Sequence, residues 1–564
     1  MRKLIECVPN FSEGRNMDVI KQITDEIESI DGIKLLDVDP GAATNRTVVT
    51  FVGEPEPVME AAIKGMKKAK ELIDMSKHSG AHPRFGATDV CPLVPVANIS
   101  MDETVEYARQ LAKRAGEELN YPIYCYESAA LIPERKNLAY VRSGEYEALK
   151  NKLQKEEWRP DFGPATFVPE SGATAISARN FLVAFNVNLN TTSTRRANAI
   201  AFDVRERGRV KREGHPITGK VVLDDKGKKV MVPGSLKSVK AIGWFIEEYG
   251  IAQISMNLTD ISITSVHKAY DEVFEKALAR GIRVTGSELV GVIPLDAMLE
   301  AGRYFLRKQQ RSLGISNEEL IKIAVKSMGL DDLKPFDPKK NIIEYLLEDE
   351  HEKKLIQLNL TEFANETASE SPAPGGGSIS AYAGALGVSL GTMVANLSSH
   401  KPGVDWEDQY QKFSELAEKG QKLKDQLLHL VDEDTNAFNK IMDAIRLPKG
   451  SKEEKERRVL AIENASKYAI EVPFSVMEKS LESMQVIKAM ADFGNPNSVS
   501  DAGVGALCAR AAVMGAYLNV KINCADLADK DFVKNMLSKG QIIEEKANAL
   551  EQEILKITND KISR

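Results

Sequence analysis

The segment Lys77-His78-Ser79-Gly80-Ala81-His82-Pro83-Arg84-Phe85-Gly86-Ala87-Thr88-Asp89 carries two imidazoles, a guanidinium and a carboxylate among small residues and turn-formers. Gly80, Pro83 and Gly86 argue against a continuing helix, so these side chains are expected on an exposed, sharply bent loop between a helix and a strand. Loops held by a scaffold are where binding and catalytic groups concentrate. A histidine there can take up and return a proton near neutral pH without extreme tuning. A metal is not favoured: the i,i+4 spacing of His78 and His82 needs a helix that Gly80 and Pro83 spoil, and no third ligand lies nearby. Either imidazole could instead hydrogen-bond loop carbonyls, and spacing does not choose His82 over His78.

A second candidate lies far along the chain, where a helix is predicted over Gln421 to Ile445 with acids at Asp432, Glu433 and Asp434. Three acids in a row usually form a solvated face. Asp434, however, falls one turn from Leu430 and Phe438 on an otherwise apolar stripe, which directs its carboxylate toward a bundle interior. Burial raises a carboxyl pKa and fits it to move protons. Upstream, Gly375-Gly376-Gly377-Ser378 precedes a helix. It can cradle an anion with backbone N–H groups or serve as a hinge, and with no P-loop lysine after it nucleotide binding is disfavoured. In Trp158 to Ala175, Phe162 and Phe167 could wall a flat heterocycle while glycines admit close backbone approach; the plainer reading is an interdomain linker. Asn186 and Asn188 share one face of a predicted strand, where their amides either read a ligand edge or pair with backbone.

The elements that must position these groups follow from hydrophobic period. Residues 3–9 read as a strand, Met17 to Ile30 as an amphipathic helix, Ile33 to Asp39 and Arg46 to Gly53 as strands, and Pro57 to about Asp74 as a helix. Val90 to Val96, Met101 to Leu119 and Ile123 to Tyr126 continue the series, giving the β-α-β-β-α-β order of a ferredoxin-like layer. A second α/β unit follows, with Phe181 to Leu189 and Ala252 to Leu258 as strands, Asn198 to Arg209 and Val266 to Arg280 as helices, a hairpin from Val221 to Val232 turning at Lys226-Gly227, and a short strand from Glu288 to Pro294. After Lys334-Pro335-Phe336-Asp337-Pro338 the composition becomes helical: Ile379 to Leu397 is a small-residue helix, and Lys452 to Ala469, Phe474 to Met490, Ser500 to Ile522 and Asp531 to Lys556 are further helices. Ser498, Ser500 and Asp501 fit an N-cap. The expected fold is therefore two ferredoxin-like α/β subdomains, residues 1–180 and 181–330, a linker at 331–351, and an all-α helical bundle at 352–564.

Bulk properties narrow the function. A chain of 564 residues exceeds one core. A net charge of -7 provides no field to gather nucleic acid or an anionic membrane. The five cysteines are scattered, odd in number and without C-x-x-C spacing, which fits a reducing compartment. The N-terminus has no long apolar run, and charges interrupt the later ones. A cytoplasmic protein without nucleic-acid or membrane partners is expected.

Together, Cys7-Val8-Pro9-Asn10-Phe11-Ser12-Glu13-Gly14, the Asp37-Val38-Asp39-Pro40 turn, the His82 loop and Asp161-Phe162-Gly163-Pro164 resemble the glutamate formimidoyltransferases. The second half, with Val431-Asp432-Glu433-Asp434-Thr435-Asn436-Ala437-Phe438, resembles the formimidoyltetrahydrofolate cyclodeaminases, so the whole chain is similar to the bifunctional formimidoyltransferase-cyclodeaminase family. The resemblance implies transfer of a formimino group from N-formimidoyl-L-glutamate to N5 of tetrahydrofolate, then closure to 5,10-methenyltetrahydrofolate with loss of ammonia, a step of histidine breakdown. It implies His82 as the proton shuttle and Asp434 as the acidic residue of the second site. Folate binding falls on Gly163, Pro164, Ala165, Thr166, Phe167, Val168, Pro169, Glu170, Ser171 and Gly172, and Gly376 and Gly377 meet the second substrate. Asp39 is a candidate to stabilise the amidinium charge or orient the histidine, and Arg84 to grip a substrate carboxylate. The implied co-substrate is polyglutamylated tetrahydrofolate, with no metal, in a homo-oligomer. Three rivals remain: a helical half acting as a methenyltetrahydrofolate cyclohydrolase, a folate-binding protein without catalysis, and a formyl donor in place of the formimino one.

Overall fold

A computed structural model describes residues 3–563 apart from 42–44, 81–83, 215–217, 248, 348–353, 400–405 and 526. His82 thus lies outside the described residues. The chain divides into two compact units, one of residues 1–301 with 324–348, the other of 302–323 with 349–564.

The first unit opens with a strand broken at Pro9, which has no N–H to give a ladder, into β1 (Leu4–Cys7) and β2 (Asn10–Phe11). There follow α1 (Met17–Glu28), β3 (Lys34–Gly41), β4 (Arg46–Gly53), α2 (Pro55–Leu72), β5 (Thr88–Ala97), α3 (Met101–Leu119) and β6 (Ile123–Glu127). Two short helices, α4 (Leu138–Val141) and α5 (Glu145–Lys152), precede β7 (Thr174–Ala178). β3 pairs with β4, and β4 and β5 both flank the broken first strand, all antiparallel. This is the ferredoxin-like order, extended by β7 and β6, which run parallel to β5 and to each other. Alternation along β4 buries Val49 and Phe51 in a core shared with Ile23, Ile27, Met66 and Leu111 of the three long helices. Arg46, Val48 and Thr50 take the opposite face.

A second ferredoxin-like sheet is built from β8 (Val183–Leu189), then α6 (Thr194–Val204) and, after an insertion, β13 (Val239–Ile246), β14 (Ile251–Leu258), α7 (Val266–Leu278) and β15 (Val284–Val290). Its order is β13-β14-β8-β15, antiparallel throughout. The helix anticipated at 198–209 starts earlier because Ser193 Oγ accepts from Arg196 N at 3.4 Å. The strand anticipated at 288–294 ends at Val290, and β13 gave no expectation from sequence. The predicted hairpin forms around Lys226-Gly227: Leu223 faces Lys229 in an antiparallel bridge, Asp224 N donates to Lys228 O at 2.8 Å and Val230 N to Val222 O at 3.0 Å, and Asp224 Oδ1 accepts from the N–H of Lys226 and Lys228 at 2.9 and 2.8 Å. The outer ends of its arms also pair with the strands before it, β9 (Arg209–Val210) with β12 (Met231–Val232) and β10 (Arg212–Glu213) with β11 (Lys220–Val221). After α8 (Leu295–Lys308) and α9 (Asn317–Met328), the stretch read as a linker contains α10 (Pro338–Asn341) and α11 (Ile343–Leu346). Ile342 and Ile343 are fully buried there, and Ile293 N donates to Asn341 O at 2.9 Å, so these residues pack into the first unit.

The second unit is a bundle of α12 (Leu360–Thr367), α13 (Gly376–Ser398), α14 (Trp406–Arg446), α15 (Lys452–Phe493), α16 (Val499–Cys524) and α17 (Lys530–Ile562). Small side chains on α13 (Ala381, Ala385) and α16 (Ala506, Ala509) let these two helices sit deep in its core. Residues 302–323 join this unit through Ser312 Oγ to Asn396 Oδ1 at 2.6 Å and Leu313 N to Ser414 Oγ at 3.1 Å. Ser498 occupies the α16 N-cap position, but its side chain makes no capping bond there; Asn495 instead caps the preceding turn.

The two helices expected on either side of Pro473 are one. Pro473 has no N–H to give the carbonyl of Ala469, which would orphan a buried acceptor. Asn523 Nδ2 on α16 donates to that carbonyl at 2.7 Å, so the helix continues. Asn523→Ala is therefore expected to lower unfolding free energy by about 1–3 kcal/mol, the scale of an unsatisfied buried group. In a Pro473→Ala background, where a backbone N–H takes over, denaturant melts should show the loss shrinking; an equal loss in both backgrounds contradicts this account.

Candidate active sites

The first site gathers around the flanks of the His82 loop. Ser12 Oγ donates to Gly86 O at 2.7 Å and Ser12 N to Ala87 O at 2.9 Å, tying the Asn10–Gly14 motif to the loop's exit. Asn45 closes the other side: its Oδ1 accepts from Gly14 N and its Nδ2 donates to Ser79 O, both at 3.0 Å. A cleft of about 510 Å³ opens here, lined by Glu13, Arg15, Asn16, Met17, Asp18 and Asn45. His78 Nε2 lies 2.8 Å from Asn45 O, so this imidazole bonds a loop carbonyl. Arg84 gives Nε to Glu147 Oε1 at 3.0 Å and Nη1 to Met75 O and His78 O, and lies 4.8 Å from the Tyr146 ring centre. In this arrangement its fork braces the loop.

The 163–172 stretch meets the same loop. Gly86 and Gly172 face each other in a one-pair antiparallel bridge, with Ala87 N donating to Ser171 O at 2.8 Å and Ala173 N to Phe85 O at 3.1 Å. A Cβ on Gly86 would lie 2.1 Å from Ala173 O, and Gly172 has φ of +67°, so neither position admits a side chain. Gly163, Ala165, Thr166, Pro169 and Glu170 are exposed, Pro164, Phe167 and Val168 half-buried, Ser171 and Gly172 buried. Phe162 and Phe167 pack against the core, Phe167 with its ring centre 5.6 Å from that of Tyr146. Asp161 is structural: it accepts from Cys125 N at 2.7 Å and pairs with buried Arg135 at 2.5 Å. Asp39 is exposed on β3 opposite Val48, on the sheet face turned away from the helices that cover Val49 and Phe51. Asn186 and Asn188 pair with side chains, Asn186 Nδ2 with Glu288 Oε2 at 3.3 Å and Asn188 Nδ2 with Asp332 Oδ2 at 3.0 Å.

The second site lies where α13 begins. Gly375 is its N-cap and Gly376 and Gly377 its first turn, so the glycine run is the helix start and no hinge. Asp434 Oδ2 accepts from Ser378 N at 2.9 Å and Ser378 Oγ at 3.1 Å. A Cβ on Gly377 would lie 2.1 Å from Asp434 Oδ1, so only glycine lets the carboxylate settle on this helix end. Burial pushes the Asp434 carboxyl above its ordinary range, and the Ser378 bonds pull it partly back. The inward stripe is Leu427, Val431, Asp434 and Ala437; Phe438, expected on it, is exposed. Asp432 accepts from Leu355 N at 2.6 Å and secures that turn. Burial opposes the charge on Glu433, yet Tyr468, Asn436 and Lys440 hold it below its usual value. Sequence reasoning missed Ser378 as a partner and missed Asn519, whose Nδ2 would stand 3.2 Å from a Cβ on Gly376. An asparagine among the small and apolar residues Ala512 to Val520 of α16 was the available signal.

Family descriptions match in three consecutive stretches: residues 4–179 the N-terminal subdomain of the formiminotransferase domain, 184–348 the formiminotransferase domain, and 359–541 formiminotransferase-cyclodeaminase. A formimidoyltransferase-cyclodeaminase of Gallus gallus is 45% identical over 533 residues, 94% of each chain. A glutamate formimidoyltransferase of Streptococcus pyogenes serotype M1 is 41% identical over 54% of this chain and 94% of its own. A methenyltetrahydrofolate cyclohydrolase of Methylorubrum extorquens is 33% identical over 36% of this chain and 96% of its own.

The Ser378 bonds stabilise the charged form of Asp434, so removing the hydroxyl raises its pKa further. With Asp434 expected as the base of the helical site, the acid limb of turnover there should move to higher pH in Ser378→Ala. A pH–rate profile superimposable on the parent's contradicts the assignment.

Proposed function

We infer how each half works from the premise that the chain belongs to the formimidoyltransferase-cyclodeaminase family, as its matches along nearly the whole length show. It is a bifunctional folate enzyme. The formiminotransferase part transfers the formimino group from N-formimidoyl-L-glutamate to tetrahydrofolate, and the helical part closes 5-formimidoyltetrahydrofolate to 5,10-methenyltetrahydrofolate with release of ammonia, in histidine degradation. The observation that carries the mechanism is the pair of chemically distinct sites far apart in sequence, the loop pinned at Gly86 and Gly172 and the carboxylate seated on Ser378.

In transfer, the folate N5 attacks the amidine carbon, and the glutamate nitrogen leaves only after gaining a proton. His82 is the proposed carrier. His78, bonded to Asn45 O, is assigned to the loop's structure. Asp39, exposed on β3, is assigned to the developing amidinium charge, and residues 163–172 to the folate. In cyclisation, N10 bonds to the same carbon and loses its proton while the amino group takes one and departs as ammonia. Asp434 can accept the first and return the second, with Gly376 and Gly377 beside the substrate. No metal or redox group enters either step of this scheme.

The finer reading is cytoplasmic and oligomeric, with polyglutamylated folate and without nucleic-acid or membrane partners. The free cysteines support a reducing compartment. α13 and α16 expose Leu386, Leu397, Leu518 and Ile522, an apolar face suited to a second copy of the bundle. Both helices are long and apolar enough to cross a membrane, but 61% and 50% of their apolar windows are buried, which favours core helices. Leu518→Glu should shift sedimentation toward smaller particles; unchanged mass, or flotation of the parent with lipid vesicles, would overturn this assembly.

The two chemistries should separate by mutation. His82→Ala is expected to slow formimino transfer about a hundredfold or more, the scale of a lost acid–base group, with a milder effect for His78→Ala. Asp434→Asn keeps the shape but cannot take a proton. It should consume formimidoylglutamate at a near-normal initial rate while 5-formimidoyltetrahydrofolate accumulates and ammonia lags. Following both folates and ammonia checks this and also separates cyclodeaminase from cyclohydrolase activity; ammonia release at the parent rate from Asp434→Asn means another group does the work.

A further inference from the structure

Small residues let α13 and α16 approach closely, and one polar side chain stands in that contact. A Cβ on Gly515 would lie 2.4 Å from Ser380 Oγ, which donates to Gly376 O at 2.7 Å, so α16 is drawn against the first turn of α13. One turn further along α16, Asn519 reaches the same place: a Cβ on Gly376 would stand 3.2 Å from its Nδ2 and 3.6 Å from its Oδ1. The next residue, Gly377, is the one Asp434 meets from α14. Successive Cα atoms are about 3.8 Å apart, so the carboxylate and the amide converge on one helical turn from two different helices.

The amide's two ends have separate fates. Asn519 Nδ2 donates to Gly515 O at 2.9 Å, an acceptor that only the NH2 end can satisfy, which leaves Oδ1 without a partner among the described residues. The bond to Gly515 does little for the fold, because that carbonyl already lies inside α16, four residues before the Asn519 N–H. Asparagine is also a poor helix former, and here it interrupts the small and apolar run Ala512 to Val520. A half-buried amide that the helix does not need, with a spare acceptor beside the Asp434 turn, is suited to a ligand that carries N–H groups.

Cyclisation supplies such groups. Once N10 has bonded to the formimino carbon, that carbon carries an amino group with two N–H bonds and one lone pair. The lone pair must take a proton before the C–N bond breaks; the bonding electrons leave with ammonia while the N5 pair closes the methenyl double bond. A neutral acceptor on one N–H fixes the direction of the lone pair without competing for the proton. We propose that Asn519 Oδ1 holds an N–H of the departing amino group and so turns its lone pair toward the proton that Asp434 has taken from N10. The inference rests on the reading of Asp434 as proton carrier, and it makes Asn519 a substrate-orienting residue of the helical site.

The test compares full-length Asn519→Ala with the parent, supplying 5-formimidoyltetrahydrofolate directly and following ammonia across pH. The kcat/KM for ammonia release should fall about tenfold or more, the scale of one hydrogen bond, at every pH, with the acid limb where the parent has it. Transfer from formimidoylglutamate should keep its parent rate, and the melting midpoint should be no lower, since alanine is the better helix former. Ammonia release at the parent rate overturns the proposal. A loss accompanied by a shifted acid limb also overturns it, because Asn519 then acts through the seat of Asp434 and not on the substrate. If the smaller side chain leaves a gap and lowers the midpoint, Asn519→Leu restores bulk without an acceptor, and parent-like ammonia release from the folded Leu variant overturns the proposal in the same way. Ammonia release at the parent rate from Asp434→Asn would overturn the proton-carrier reading instead, whatever Asn519→Ala does.

Discussion

Two backbones approach each other at Gly86 and Gly172 more closely than a Cβ permits, and the transferase half is arranged around that crossing. On one strand of it the chain has just left the His82 loop; on the other it is ending the stretch assigned to folate. Around the crossing run main-chain bonds, Ala87 to Ser171 and Ala173 to Phe85, with Ser12 reaching the Gly86 carbonyl from the N-terminal motif. Fixed backbone positions a side chain better than a solvated loop does, because less conformational freedom is lost when substrate arrives.

The helical half meets a similar demand differently. A carboxylate that handles protons must be shielded from water without being neutralised outright, and burial alone drives its pKa upward. Seating Asp434 on the first turn of α13 answers this with two donors from one residue and with the positive end of the helix. Gly377 makes the approach possible, and Ser378, whose hydroxyl also bonds Val431 O at 2.9 Å, locks the two helices in register. The neighbouring acids are diverted, Asp432 to the backbone of Leu355 and Glu433 to Tyr468, so three adjacent carboxylates hold three separate posts.

Polar groups buried on the sheets follow the same economy. In the second sheet Asn186, Asn188, Gln253, Glu288 and Asp332 satisfy one another, with Gln253 Nε2 to Asn188 Oδ1 at 2.8 Å. In the first, Asp89 takes Nε and Nη2 of Arg142 and Nη1 of Arg46, whose Nε and Nη2 both reach Asn10 Oδ1.

Sequence by itself determined the ferredoxin-like order, the small-residue bundle and the inward bias of Asp434, because these depend on periods of two and 3.6, which are local. It misjudged what depends on partners distant in the chain. Pro473 looked like a helix end until Asn523 supplied the missing donor, and Phe438 fell outside the seam that Ala437 occupies. The bracing of Arg84 by Glu147 and the meeting of Arg46 and Arg142 on Asp89 join residues 63, 43 and 53 positions apart. Only tertiary structure could decide them, since a side chain's charge is set by type but its partner is set by where packing brings the chain back.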